Sequence, residues 1–353
     1  MMFFMGVGTA APRHSYTQSE CWASFQQAPQ FPALAPRSRA ILKKVLLGDN
    51  GIETRHLALD HLDEAFVLSP DILQARFAQQ APLLATRAAE SALAQAGLSP
   101  VDIDAILIST CTGYLCPGLT SYVGEKLGLR PSVLMLDLVG QGCGAALPNL
   151  RTAEALLTAG RAERVLSICV EICSAALYLD DDPGVLVSAC LFGDGAGAVV
   201  LSSRPPTSGR QIKWKGAAST FSAEARDQLR FEHKDGMLRN ILSLSVPEIA
   251  ASHAQAVLDR AQVDLNFQRE QVTNWIFHAG GRNVLQALQK KMSLSADDVR
   301  FSSEILAEYG NVSSPFVYFV LERALRENIA PGLCWMATFG AGFSSHGALL
   351  EIS

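Results

Sequence analysis

Three side chains, far apart in the chain, are of types that can share one reaction. Cys143 stands in Asp137-Leu-Val-Gly-Gln-Gly-Cys-Gly-Ala-Ala-Leu-Pro148, after the apolar run VLMLDLV and at the first turn of an expected helix. A helix N-terminus points unpaired N–H groups and partial positive charge at the sulfur, which favours the thiolate. Gly142 and Gly144 permit a sharp strand-to-helix turn and a close approach of substrate to the backbone. His278 alone among the seven histidines follows an apolar strand pattern directly and precedes a glycine pair, Gly280-Gly281, so that a loop can present it to a cleft. Asn311, in Tyr309-Gly-Asn-Val-Ser-Ser314, reads by itself as a helix cap or turn residue. Beside a cysteine and a histidine it is also an amide donor.

Two chemistries use such a trio. A Cys/His hydrolase uses an asparagine to orient the imidazole and must admit water, and no GxSxG-type hydrolase motif accompanies it here. A Claisen condensation instead holds an acyl group as a thioester on the cysteine. It needs donors where an enolate oxygen forms as a malonyl group loses CO₂, and neutral His Nε2–H and Asn Nδ2–H are such donors. It calls for neither a metal nor a redox cofactor, and no Cys/His ligand spacing is present.

The elements that must position these residues follow from hydrophobic patterning. Short apolar β-like runs alternate with longer helical patterns, which predicts an α/β layered fold. The stretches 103–110, 165–172 and 197–202 read as strands buried on both faces. The stretches 82–97 and 144–160 read as helices, and the polar stretch from about 204 to 235 as a connection between halves. The order then partly repeats: one strand ends in Cys111-Thr-Gly, another in His278-Ala-Gly-Gly. Cys143 follows Cys111 at about the interval that separates Asn311 from His278, each just ahead of a helix. Each half closes on a glycine-rich turn into a strand, Gly193-Asp-Gly-Ala-Gly in one and Gly340-Ala-Gly-Phe in the other. Two duplicated halves are expected, 1–204 carrying the cysteine and 205–353 carrying the histidine and asparagine.

Composition bounds the partners. The chain has 353 residues, 49% hydrophobic and 18% charged, enough to bury a large core, and its net charge of −5 with no basic run excludes a nucleic-acid footprint. The longest apolar stretch, 165–179, is too short to span a bilayer and is interrupted by Glu171, so a cytoplasmic protein without a membrane span is expected. The eight cysteines form no CxxC pair, and buried packing is the default for those without a positional argument. The GDGAGA segment precedes a strand pattern, unlike a dinucleotide-binding loop, which precedes a helix.

At these residues the chain resembles the type III polyketide synthases, the chalcone synthase-like family of the thiolase superfamily, in a bacterial-type member. The segments GQGCGAALPNLRTA, CLFGDGAGAVVL, HAGGRNVLQAL, EYGNVSSP and FGAGF carry the resemblance from about residue 100 to the C-terminus. The resemblance implies a thiolase-like αβαβα sandwich and a homodimer, with acyl-CoA starters and malonyl-CoA as substrates and no cofactor. It assigns acyl loading to Cys143, decarboxylation and condensation to His278 and Asn311, and a gate between site and CoA tunnel to Phe192. Substrate contact falls to Cys111, Thr112 and Gly340, and CoA contact to Arg37, Arg39, Lys43, Lys44, Arg282 and Asn283; solvated surface charge is the competing reading of these six. Iterative extension would end in a pyrone or a cyclised phenol. The alternatives are a β-ketoacyl synthase III-like enzyme performing one condensation and a non-catalytic thiolase-fold partner subunit. The chain also departs from plant members. It has no aromatic residue between Met237 and Pro247, cysteines stand at 111 and 116 in place of threonine and methionine, and Ala341 replaces a proline in the FGxG turn.

Overall fold

The computed structural model describes residues 1–353. The strands are β1 (Met2–Ala10), β2 (Ser15–Thr17), β3 (Thr54–His56), β4 (Ala105–Thr110), β5 (Leu134–Val139), β6 (Arg164–Glu171) and β7 (Gly195–Ser202), then β8 (Ile212–Phe221), β9 (Leu229–Lys234), β10 (Met237–Leu242), β11 (Val272–Phe277), β12 (Gly332–Gly340) and β13 (Ser344–Ile352). The helices are α1 (Gln18–Gln27), α2 (Pro36–Leu47), α3 (Pro70–Ala96), α4 (Leu119–Leu127) and α5 (Ala146–Thr158), then α6 (Pro183–Leu191), α7 (Val246–Asp264), α8 (Arg282–Met292), α9 (Arg300–Tyr309) and α10 (Phe316–Arg326).

Nine strands form one sheet in the order β11-β12-β13-β8-β1-β7-β6-β4-β5. Outward from the middle, the first half runs β1, β7, β6, β4 and the second β8, β13, β12, β11. In each half the first two pairings are antiparallel and the third is parallel. Only the first half adds a fifth strand, β5, parallel to β4. The halves join where Met2–Phe4 pairs with Ile212–Trp214. Helices α5 and α10 each touch strands of both halves, while α3 covers β1, β7 and β6 and α7 covers β8 and β13. The result is five alternating layers.

Burial explains why these segments take these forms. All residues of β4 and β7 are buried, as expected of strands covered on both faces. Helix α10 is buried throughout Phe316–Glu322, as a helix between two sheet halves must be. Two boundaries differ from the sequence reading. Pro82 does not start a helix; it lies inside α3, which begins at Pro70, because burial of Phe77, Ala81, Leu84, Ala85 and Ala88 outweighs one missing N–H bond. The connection between halves is confined to 203–211, since 212–221 alternates toward the core and becomes β8, and 229–242 folds into the β9/β10 hairpin. No helix is long and apolar enough to cross a membrane.

Candidate active site

The strand β5 delivers Gly140 and Gly142, both at positive φ (84° and 54°), and a 3₁₀ turn over Gly142–Gly144 that carries Cys143 into α5. Cys143 therefore sits one step ahead of the α-helix proper, where backbone N–H groups are still unpaired. The second half uses the same device: Gly310, at φ 69°, precedes Asn311 before α10. A Cβ on Gly340 would lie 2.2 Å from Gln141 O, so only glycine lets the Gly340–Gly342 turn lie against the nucleophile loop. Thr338 Oγ1 fastens the same contact by donating to Gly144 O at 3.0 Å.

Hydrogen bonds draw the three chemistry-bearing segments to one point. Ser313 Oγ donates to Cys143 Sγ at 3.1 Å, and the Ser313 N–H donates to Asn311 Oδ1 at 2.9 Å. Asn311 Nδ2 donates to Gly280 O at 3.2 Å, in the loop that begins with His278. His278 is anchored by its backbone N–H to Ala337 O, and its ring meets Phe316 edge-on at 5.4 Å. Phe192 forms a parallel bridge with Asn311, fixed by Asn311 N to Leu191 O at 2.9 Å and Gly193 N to Asn311 O at 3.0 Å. Cys143, Phe192, His278 and Asn311 are all buried.

Two influences on Cys143 oppose each other. Burial pushes the thiol up to about 12, against the Ser313 hydroxyl and the helix terminus, which favour the thiolate. Burial also lowers His278 to about 3, leaving a neutral imidazole whose Nδ1 has no partner. No hydrogen bond joins His278 to Cys143.

Two cavities lie near the trio, though none of the three residues lines either; they reach it through the neighbouring Gly142 and Phe192. One of about 470 Å³ is lined by Cys111, Thr112, Gly142, Ala341 and residues of the β9/β10 hairpin. A smaller one of about 50 Å³ lies among Phe25, Phe66, Thr112, Cys173 and Phe192. Cys111, Thr112 and Phe192 thus face space beside the site. Gly340 faces none; it supports the nucleophile loop, and its neighbour Ala341 forms the wall. The six basic or polar positions assigned to CoA line neither cavity. Arg37, Lys43 and Lys44 are exposed on α2, and Arg39 lies 5.9 Å from the Phe31 ring centroid. Arg282 pairs with Asp49 just beyond α2, with Asn283 exposed beside it, so both groups share one surface region.

Sequence reasoning missed Glu171. This fully buried carboxyl accepts from Thr112 Oγ1 at 2.9 Å, Cys111 N at 3.0 Å, Cys111 Sγ at 3.2 Å and Thr110 Oγ1 at 3.2 Å, and from Ser314 Oγ. Burial raises it despite these donors. The signal was a lone carboxylate inside an otherwise apolar strand, used above only as an argument against a membrane span. Ser313 was likewise read only as part of a motif.

Residues 61–227 match the family described as FAE1/Type III polyketide synthase-like protein, and residues 217–349 match the chalcone and stilbene synthase C-terminal domain. The chain is 30% identical to a 3,5-dihydroxyphenylacetyl-CoA synthase of Streptomyces toyocaensis, covering 98% of this chain and 89% of that one. It is 28% identical to the alpha-pyrone synthesis polyketide synthase-like Pks18 of Mycobacterium tuberculosis, over 98% and 90%. Among solved structures it resembles PKS-I of the brown alga Ectocarpus siliculosus, with TM-score 0.90, 25% identity and coverage of 99% and 98%. These matches favour the iterative synthase over the single-condensation enzyme and the inactive partner. On sequence, fold and site together, the chain belongs to the type III polyketide synthase family, acyltransferases of thiolase fold that extend CoA thioesters with malonyl-CoA and need no cofactor.

Proposed function

We propose that Cys143 takes an acyl group from an acyl-CoA starter, that His278 and Asn311 promote decarboxylation of malonyl-CoA, and that the resulting enolate attacks the Cys143 thioester. The observation that carries this reading is the chain of hydrogen bonds Cys143–Ser313–Asn311–Gly280, which ties the nucleophile of one half to the donor loops of the other. Neutral His278 and the Asn311 amide are donors for the enolate oxygen; a buried neutral donor stabilises developing negative charge without prior reorganisation. Phe192 stands as a gate, Cys111 and Thr112 contact the growing chain, and Gly340 acts through the nucleophile loop. Arg37, Arg39, Lys43, Lys44, Arg282 and Asn283 hold the CoA phosphates on their shared surface. The product leaves as a pyrone or a cyclised phenol, the two kinds of product that the relatives' names describe.

The boundary between the halves falls at residues 204 and 205, separating the nucleophile from the donors. The enzyme works as a homodimer through the edge strand β5, which leaves Leu134, Met135 and Val139 exposed with Tyr114 beside them. Acting on CoA thioesters, it belongs in the cytoplasm. The deciding experiment is intact-protein mass spectrometry with a starter acyl-CoA. Wild type gains the acyl mass and Cys143→Ala does not; an adduct retained in the variant removes Cys143 from its role. His278→Ala and Asn311→Ala lose CO₂ release from malonyl-CoA, and undiminished release in both refutes their assignment.

A further inference from the structure

Arg55, in the middle of β3, is buried to 4% exposure and has no carboxylate partner. Its guanidinium reaches the C-terminus of α6, where Nη1 donates to Ala189 O at 2.8 Å and to Phe192 O at 3.1 Å, while Nε is buried with no partner. The charge is balanced by the negative end of a helix, where unpaired carbonyls accept a cation in place of an acid. The stem of the same side chain runs beneath Gly310. A Cβ on Gly310 would lie 2.9 Å from Arg55 Cγ, and the glycine is at φ 69°. The neighbours of Arg55 in the chain close the clip. Thr54 Oγ1 donates to Glu308 O, the Asp194 N–H donates to His56 O at 2.8 Å, and the His56 ring stacks on Tyr309 at 4.9 Å.

One side chain therefore touches the segment that carries Phe192 and the segment that carries Asn311, at the point where the two form their parallel bridge. None of the contacts that hold Cys143 involves Arg55; those come from Ala341, Gly340, Thr338 and Ser313. We infer that Arg55 is a positioning residue for the decarboxylation half of the site: its two-carbonyl grip on α6 and its packing under Gly310 set where the Phe192 ring and the Asn311 amide stand relative to the Cys143 thioester. The inference rests on the role given to Asn311 above. Its physical basis is that a donor displaced by about 1 Å from a developing oxyanion loses up to about 100-fold in rate, whereas in acyl loading the Cys143 sulfur attacks the starter carbonyl, its proton leaves with the CoA thiol, and no enolate oxygen has to be held.

The test separates two half-reactions in Arg55→Met, Arg55→Lys and Gly310→Ala, with Asn311→Ala as a control. Starter loading on Cys143 is followed by intact-protein mass spectrometry, CO₂ release from malonyl-CoA by radiometric assay, and the melting temperature by calorimetry. Arg55→Met slows CO₂ release about 10- to 100-fold while loading changes less than about threefold. Arg55→Lys, which keeps the charge but not the planar fork, recovers part of the loss. Gly310→Ala, whose Cβ would press on both the Arg55 stem and Leu191 O, displaces the Asn311 segment directly and serves as a second positional control, while Arg55→Lys decides the matter should Arg55→Met fail to fold. CO₂ release at the wild-type rate in the Arg55 variants, with Asn311→Ala impaired, overturns the inference alone. A parallel fall of loading and CO₂ release with a lowered melting temperature overturns it as well, since that is the mark of a purely structural residue. Wild-type CO₂ release in Asn311→Ala is a separate result and defeats the reading of Asn311 itself.

Discussion

The two halves of the sheet repeat one strand order and one set of senses, yet the sites at equivalent places are built differently. In the first half the end of β4 leads to Cys111, which is bonded through both its amide and its sulfur to the buried Glu171. In the second the end of β11 leads to His278, which is buried with Nδ1 unpartnered. A glycine at positive φ turns the chain ahead of Cys143 and again ahead of Asn311. The backbone device is shared, and what surrounds it is not. A polar network centred on Glu171 holds Cys111, while His278 is buried with no partner at Nδ1. A polar network fixes position; burial without a charged partner keeps an imidazole neutral. The duplicated frame thus gives equivalent positions different chemistry by changing the environment of each side chain and leaving the backbone alone.

Removing the carboxyl that holds Cys111 breaks the comparison most severely. Glu171→Ala leaves the hydroxyls of Thr110, Thr112 and Ser314 and the Cys111 N–H without their acceptor in a buried site. A loss of about 3 kcal/mol or more of stability is expected by urea denaturation. Glu171→Gln keeps an acceptor in the same space and stays within about 1 kcal/mol of wild type. Equal stability of wild type and Glu171→Ala would mean that the two halves do not differ in the way described.

The thiol itself gives the next largest effect. With Cys143 pushed up to about 12 by burial, the thiolate fraction of the free enzyme grows about tenfold per pH unit from pH 7 to 10. Alkylation of Cys143 by iodoacetamide, followed by peptide mass spectrometry, rises with the same slope. A rate that is flat across that range reveals a preformed thiolate, as the helix position alone had suggested. Ser313→Ala removes the hydroxyl that donates to the sulfur and lowers the alkylation rate at pH 8 about three- to tenfold, the worth of one such bond.

Much of this contrast was legible in the sequence, for reasons specific to each part. The β4, β6 and β7 cores declared themselves as short apolar runs, because strands buried on both faces have no polar side. Cys143 and His278 stood out because each lies at the junction of an apolar run and glycine, and Asn311, a cap or turn residue by itself, gained weight only beside them. The start of α3 at Pro70 was hidden by Pro82, since local rules weigh a proline more heavily than the sheet packed against it. The strand β8 was hidden in a polar stretch because one central strand alternates where its neighbours are wholly apolar. The thiol state and Arg55 were out of reach. Desolvation belongs to the assembled site, and an arginine that bonds two backbone carbonyls leaves no pairing pattern in the sequence.

The smallest effect is the absence of one, and it bears most directly on how the donor half works. His278 is lowered to about 3 by burial, with no carboxylate bonded to it, so across pH 5.5 to 8 the free enzyme carries a neutral ring. CO₂ release by enzyme already loaded with starter should change less than about twofold over that interval, since loading removes the titration of the thiol. An inflection near pH 6 to 7 that disappears in His278→Gln would show an imidazolium or a base at work and end the donor reading. Stability has a sign that can be checked independently. The folded value lies below the ordinary 6.5 of the unfolded chain, so the unfolded state binds the extra proton between pH 6.5 and 3. The contribution of His278 is fully present above pH 6.5 and is lost as the pH falls toward 3. His278→Gln, which has no proton to take up, must therefore lose less stability than wild type between pH 7 and pH 4, and urea midpoints at those two values measure the difference.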